Sequence, residues 1–182
     1  MTDKKSLRKS MGDTRAKAHA EVDPAPALDH LRTALAEALY PISFYWPIRT
    51  ELDPRPVMTE KAALGTVCLP VTQGYAPLTF LPWRPGTPMS TDGFGVETPV
   101  EGDPVLPRTL VLPLLAFDAR GQRLGYGAGH YDRTLEKLRA LHPVTAIGLA
   151  YSAQECAEVP TEPTDQPLDM IVTEQGILRP LS

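Results

Sequence analysis

Between Arg123 and Arg133 the chain reads RLGYGAGHYDR, three alternating glycines that pass straight into a helical pattern. A passage of that kind is a strand, a loop and a helix in direct succession, because only glycine lets the backbone turn so tightly between the two elements. Alternating glycines also allow successive N–H groups to converge on an anion without Cβ obstruction, and the helix behind them adds unsatisfied donors and a positive dipole end. A triphosphate is the natural guest. Arg123 and Arg133 supply fixed cations and Asp132 a hard oxygen ligand, the set that a magnesium-bound polyphosphate requires. A plain glycine-rich strand-to-helix turn is the competing reading of this segment alone.

Spacing narrows the phosphate loops that fit. No Gly-Lys-Ser/Thr ending is present, which removes the P-loop, and Gly125, Gly127 and Gly129 give GxGxG where the dinucleotide fingerprint needs GxGxxG. Gln122, Gly125 and Gly127 do fit the QxxGxG turn with which GNAT-type acetyltransferases hold coenzyme A, so that reading stays open at this point.

The 182 residues suggest one domain, enough to bury roughly 70% of the unfolded surface in a core. A net charge of −4 argues against a general nucleic-acid binder, and no apolar segment nears the roughly 20 residues of a membrane span. Cys68 and Cys156 form neither a CxxC nor a disulfide framework, which points to the cytoplasm. Charge is uneven, however. Within the first 17 residues Lys4, Lys5, Arg8, Lys9, Arg15 and Lys17 face only Asp3 and Asp13, a local excess of +4. A transit peptide would be unusual with those aspartates and a secretory signal lacks its apolar run. A frayed, solvated helix end is one reading. In the functional one, Lys4 and Arg8, four apart, project from one helical face and close over an anion bound elsewhere.

Periodicity predicts alternating helices and strands without an internal repeat. Asp23 and Pro24 begin a helix to Tyr40 marked by Leu28, Leu31, Leu35 and Leu39; Val57 to Leu64 is a second helix. Strands are expected at Ile42–Trp46, Thr66–Val71, Pro77–Leu81, Leu110–Phe117, Ala146–Ala150 and Met170–Val172, with DARG a turn before the glycine loop. Leu135, Leu138 and Leu141 mark the helix behind that loop, stopped by Pro143. Arg84 to Gly93 reads as an exposed loop, and the prolines cluster between elements as rigid connections. The pattern implies an α/β sheet covered on both faces.

Other candidate residues follow the strands, where open α/β sheets place their sites. Glu51 could accept hydrogen bonds from a polar heterocycle, or be an ordinary surface carboxylate. Trp46 and Phe94 could sandwich an aromatic ligand, although aromatics at strand ends are commonly core. Asp165 and Asp169, in TDQPLDMIVT, resemble paired oxygen ligands or simple turn formers. His130 could titrate near neutrality. His19, His30 and His142 show no metal-ligand spacing.

Together these pieces resemble the 5-formyltetrahydrofolate cyclo-ligases, also called methenyltetrahydrofolate synthetases. The likeness runs through KKSLR at Lys4–Arg8, the Glu51 segment, FGVETP at Phe94–Pro99, LPLLAFDARGQRLGYGAGHYDR at Leu112–Arg133 and TDQPLDMIVTEQG at Thr164–Gly176. The acetyltransferase reading requires neither the N-terminal Lys and Arg nor the FGVETP loop. The resemblance implies a three-layer α/β sandwich with a mostly parallel central sheet, similar to the NagB, ribose-5-phosphate isomerase and coenzyme A transferase group, in a single domain over 1–182. It also implies ATP-dependent cyclisation of 5-formyltetrahydrofolate to 5,10-methenyltetrahydrofolate, releasing ADP and phosphate through phosphorylation of the formyl oxygen. By matching position, ATP falls to Lys4, Lys5, Arg8, Arg123, Gly125, Tyr126, Gly127, Ala128, Gly129, His130 and Tyr131. Folate falls to Trp46, Glu51, Phe94 and the Tyr126–His130 stretch. Mg2+ falls to Asp132 and Asp165, and the catalytic set is Arg123, Tyr131 and Asp132. Partners are then small molecules, without nucleic acid, membrane or an obligate protein.

Four positions depart from the family's pattern. Ala128 stands where glycine is common, so the loop must avoid positive φ there or carry about 1 kcal/mol of strain. His130 replaces a usual tyrosine, Thr98 a glutamate and Thr164 a histidine. Ala128 and His130 are the features favouring an alternative, a nucleotide- and folate-binding paralogue without efficient turnover.

Overall fold

The computed structural model describes residues 3–180. In chain order it contains α1 (Lys4–Glu21), α2 (Ala25–Ala34), β1 (Ile42–Ser43), α3 (Arg55–Ala62), β2 (Val67–Val71), β3 (Thr79–Trp83), β4 (Met89–Thr91), β5 (Glu97–Pro99), β6 (Thr109–Leu112), β7 (Ala116–Phe117), β8 (Arg123–Leu124), α4 (His130–Leu141), β9 (Thr145–Leu149), β10 (Met170–Thr173) and β11 (Gly176–Leu178). Seven strands form the central sheet in the order β11-β10-β9-β6-β1-β2-β3. β2, β1, β6, β9 and β10 run parallel, and antiparallel β3 and β11 close the two edges.

Alternation along the strands divides the core into two layers. Val111, Ile147 and Val172 face one side with Ala18 of α1, Leu31 of α2 and Val57 and Met58 of α3. Their neighbours Leu110, Ala146 and Ile171 face the other side with Leu135 and Leu138 of α4. Strands buried on both faces explain the near-continuous apolar runs of the sequence. The product is a three-layer α/β sandwich. Because β1 feeds β2 on one side while β6 pairs on its other, the C-terminal ends of β1 and β6 form a topological switch point.

The strand expected at Ile42–Trp46 is confined to Ile42–Ser43, and two further expected elements are shorter for tertiary reasons. The α2 helix ends at Ala34 instead of Tyr40, where Lys61 Nζ donates to the Leu35 carbonyl at 2.8 Å. Leu39, expected on its buried stripe, is 57% exposed, so nothing apolar holds a further turn. The Leu110–Phe117 run is two strands, β6 and β7, the second pairing with β8 in a separate ribbon. Arg84–Gly93, expected as loop, contributes β4 to a hairpin with β5. Its tip is fixed by the Asp92 carboxylate, which accepts from the N–H groups of Phe94 and Val96 at 2.8 and 2.9 Å.

The β7–β8 ribbon aims the glycine loop, and Asp118 anchors its turn. That fully buried carboxylate accepts from the N–H groups of Arg120, Gln122 and Val159 and from the Arg120 guanidinium. Burial pushes its pKa up, but Arg120 and those N–H groups outweigh burial and hold it below the ordinary aspartate value. Asp118→Ala strands several buried donors and is expected to cost about 3 kcal/mol, a fall in Tm of roughly 6–12 °C in thermal unfolding. Since the folded-state pKa is depressed, the difference between wild type and variant is full above about pH 4 and disappears as acid protonates Asp118.

Candidate active site

The α1 helix, Asp3-capped through the N–H groups of Lys5 and Ser6, lays Lys4, Arg8, Met11 and Arg15 along one face towards the C-terminal ends of β1 and β6. Arg8 Nε donates to the Gly125 carbonyl at 2.9 Å, and Lys4 Nζ lies 3.1 Å from Asp165 and 3.5 Å from Glu162. The N-terminal cations therefore clamp the glycine loop and the segment before β10. Lys5 lies on the exposed flank, with no side-chain bond among the described residues.

Gly127 and Gly129 take positive φ, 106° and 67°, whereas Ala128 does not. The loop thus avoids the geometry that alanine would resist. Gly127 is required twice over, because a Cβ there would also lie 3.2 Å from the Arg8 guanidinium. Arg133 Nη2 closes the loop on the Ala128 carbonyl at 2.7 Å. Among the described residues, no backbone N–H from Gly125 to Asp132 donates to a protein acceptor. The buried His130 Nδ1 and Arg133 Nε also lack partners. Together with the N-terminus of α4 this is a concentration of unspent donors suited to an anion.

Asp132 Oδ1 accepts from Arg123 Nη1 and from the Gln166 N–H, both at 2.9 Å. These bonds tie the first turn of α4 to the Asp165–Gln166 segment. The Asp132 Oδ2 atom accepts no described bond. Asp169 Oδ2 accepts from the Ala146 N–H at 2.7 Å and from Arg139 at 3.1 Å, whereas Asp165 Oδ2 accepts from Lys4 Nζ at 3.1 Å and the Glu162 N–H at 2.8 Å, so the two carboxylates are held by different partners. Among the described residues, no group of three His, Cys, Asp or Glu side chains could hold a metal. A magnesium ion here would rest on one or two carboxylates plus phosphate oxygens and water, which is its usual habit.

On the other side of the loop, Glu51 is 5% exposed and accepts from the Ile48 N–H at 2.9 Å and the Tyr126 hydroxyl at 3.3 Å. Burial pushes its pKa up, while the Ile48 N–H, Arg15, Tyr126 and Arg49 pull it back. Burial also raises the Tyr131 phenol, so at neutral pH Tyr131 is a donor and not a base. Phe94, on the β4–β5 hairpin tip, packs edge-on against His130 with ring centroids 6.5 Å apart. Trp46 is engaged separately, edge-on to Trp83 at 6.3 Å and with Arg55 4.9 Å from its ring centroid, so the two aromatics do not stack as a pair.

A separate groove of about 640 Å3, lined by Trp83, Arg84, Thr87 and Glu101, opens at the N-terminal end of β2. It is at the wrong end of the sheet for these groups.

The sequence pattern of the 5-formyltetrahydrofolate cyclo-ligase family matches residues 1–174. The chain belongs to that family. It is similar to the 5-formyltetrahydrofolate cyclo-ligase of Haemophilus influenzae, 40% identical over 121 residues, a match spanning 63% of each chain. It is likewise similar to that of Escherichia coli K12, at 34% over 135 residues, covering 70% of this chain and 74% of the relative. Among solved structures, the 5,10-methenyltetrahydrofolate synthetase of Aquifex aeolicus superposes with a TM-score of 0.82 at 28% identity, covering 97% of this chain and 92% of that one. The glycine loop, Lys4, Arg8, Glu51, Asp132 and Asp165 are linked through Tyr126 and Gln166 at one end of the sheet. Arg15, Arg49 and Gln166 join them without having been expected. Arg49 carried one signal, a charged residue in the WPIRTE turn; its φ of 54° is visible only in the fold.

Proposed function

We propose that the chain catalyses the ATP-dependent closure of 5-formyltetrahydrofolate to 5,10-methenyltetrahydrofolate. The observation carrying this reading is the convergence, at one switch point, of the unspent N–H groups of Gly125–Asp132 with the buried Glu51 carboxylate, joined by Tyr126. The first group suits a polyphosphate and the second a polar heterocycle.

In the reaction the formyl oxygen attacks the γ-phosphorus and ADP leaves. Folate N10 then attacks the activated carbon, and phosphate departs carrying the formyl oxygen while N10 loses its proton to solvent. A formamide oxygen is a poor nucleophile and a worse leaving group, so the protein's contribution is positioning and neutralisation of phosphoryl charge. Lys4, Arg8 and Arg123, with the loop N–H groups and His130, would hold the nucleotide. Glu51 would accept from the pterin, and Phe94 and Trp46 would bound the folate. Asp132, with Asp165, would hold magnesium, which supplies charge neutralisation on the phosphates when bound. Tyr131, a neutral phenol, would donate to the oxygens in transfer.

The geometry of Ala128 removes one support of the paralogue reading, since the loop needs no glycine there. Purified chain given 5-formyltetrahydrofolate, ATP and Mg2+ is expected to develop the methenyl chromophore with one ADP per product. Nucleotide binding without that absorbance would favour the paralogue instead.

A further inference from the structure

Arg15 is the most deeply buried arginine or lysine among the described residues, 3% exposed. Its partners come from three separate parts of the chain. Nε donates to Thr50 Oγ1 at 3.1 Å, Nη1 to the Leu114 carbonyl at 3.4 Å and Nη2 to the Tyr126 hydroxyl at 2.6 Å, while Glu51 Oε1 lies 3.9 Å from Nη1. Apolar residues commonly replace a buried ion pair without loss of stability, so stability alone does not account for a guanidinium here. What it touches is the Glu51 pocket: the carboxylate, the tyrosine that donates to it, and the residue preceding it.

We propose that Arg15 is a positioning residue of the folate pocket, which keeps Glu51 ionised and aimed and, through Tyr126, fixes that carboxylate relative to the glycine loop. The proposal rests on the reading of Glu51 as the folate acceptor. The groups facing Glu51 are Arg15 from α1, Tyr126 from the glycine loop, and the Ile48 N–H and Arg49 from its own turn, with Tyr45 beyond β1 and Tyr131 of α4 also within electrostatic reach. Arg15 and Arg49 are the cations of that set. Arg49 is exposed and screened by water, which leaves Arg15 as the charge that opposes the burial of Glu51. Lys4 and Arg8, on the same helical face, reach the loop and the Asp165 segment, so α1 touches both sides of the site.

The test compares Arg15→Gln, whose amide can still hydrogen-bond Thr50 in place of Nε but which has no charge and stops short of Leu114 and Tyr126, with Arg15→Lys, which keeps the charge but loses the guanidinium fork. For Arg15→Gln, the acid limb of kcat/KM for 5-formyltetrahydrofolate is expected to move to higher pH by about one unit, and the folate KM at neutral pH to rise roughly tenfold. The ATP KM is expected to stay within about twofold, since no ATP-facing group is removed. Arg15→Lys should keep the acid limb near that of wild type while raising the folate KM about threefold through lost orientation. An acid limb that stays in place in Arg15→Gln, or moves equally in both variants, overturns the proposal. Should Arg15→Gln not fold, Arg15→Lys decides alone: a raised folate KM with an unmoved limb supports it, and any other result overturns it. Should wild type make no product, the functional reading fails, and a carbon-13 NMR titration of the Glu51 carboxyl still tests the linkage. A Glu51 pKa higher in Arg15→Gln supports the linkage, and an unchanged one overturns it.

Discussion

Asp132→Asn is expected to lower methenyl formation by about 10^3-fold or more, the loss of roughly 4 kcal/mol of transition-state stabilisation, while the Tm stays within a few degrees of wild type. The asparagine oxygen can still accept from Arg123 and from the Gln166 N–H, the two bonds that the Asp132 Oδ1 atom makes. The charge disappears, along with the carboxylate oxygen that no protein donor occupies. Steady-state assays across a magnesium titration check the idea: the variant should need far more metal, or show none of the rescue that wild type shows. Near-normal turnover at ordinary magnesium would remove Asp132 from the metal site and leave it as a tie between α4 and the segment before β10.

Gly127→Ala is the second large effect. At a φ of 106° an alanine is strained, and its Cβ would lie 3.2 Å from the Arg8 guanidinium, which must give by a few tenths of an ångström against its bond to the Gly125 carbonyl. Strain and a displaced cation together are expected to cost about 3 kcal/mol in the transition state, a fall of roughly 100-fold in kcat/KM for ATP. Because the strain is carried by the folded loop, the Tm is also expected to fall by a few degrees. Ala128→Gly is the matched control: Ala128 has no positive φ, and its replacement should shift kcat/KM by less than about threefold. Equal losses at both positions would mean that the loop needs stiffness in general and not the particular cradle formed at Gly127.

What could be read in advance was what local chemistry encodes. The glycine loop, the helix behind it and the buried strands are written in spacing alone, and Lys4 and Arg8 stand four residues apart on any helix. The remainder depended on partners distant in sequence. The α2 helix stops where Lys61, from another helix, takes the Leu35 carbonyl. Asp165 and Asp169 have the same local character, yet Lys4 reaches one while the Ala146 N–H and Arg139 capture the other. Arg15 looks like one more surface cation in a basic segment until Thr50, Leu114 and Tyr126 close around it. The β4–β5 hairpin was hidden because its strands are three residues each and rich in polar and proline residues; the Asp92 turn holds it together.

In the proposed reaction the glycine loop delivers a phosphoryl group to the formyl oxygen of a folate held beside Glu51. The most direct measurement follows oxygen-18 placed in the formyl group of 5-formyltetrahydrofolate through a complete turnover with ATP and Mg2+. The label is expected to leave in inorganic phosphate, one labelled oxygen per methenyl product. Label released to water, with unlabelled phosphate, would contradict it.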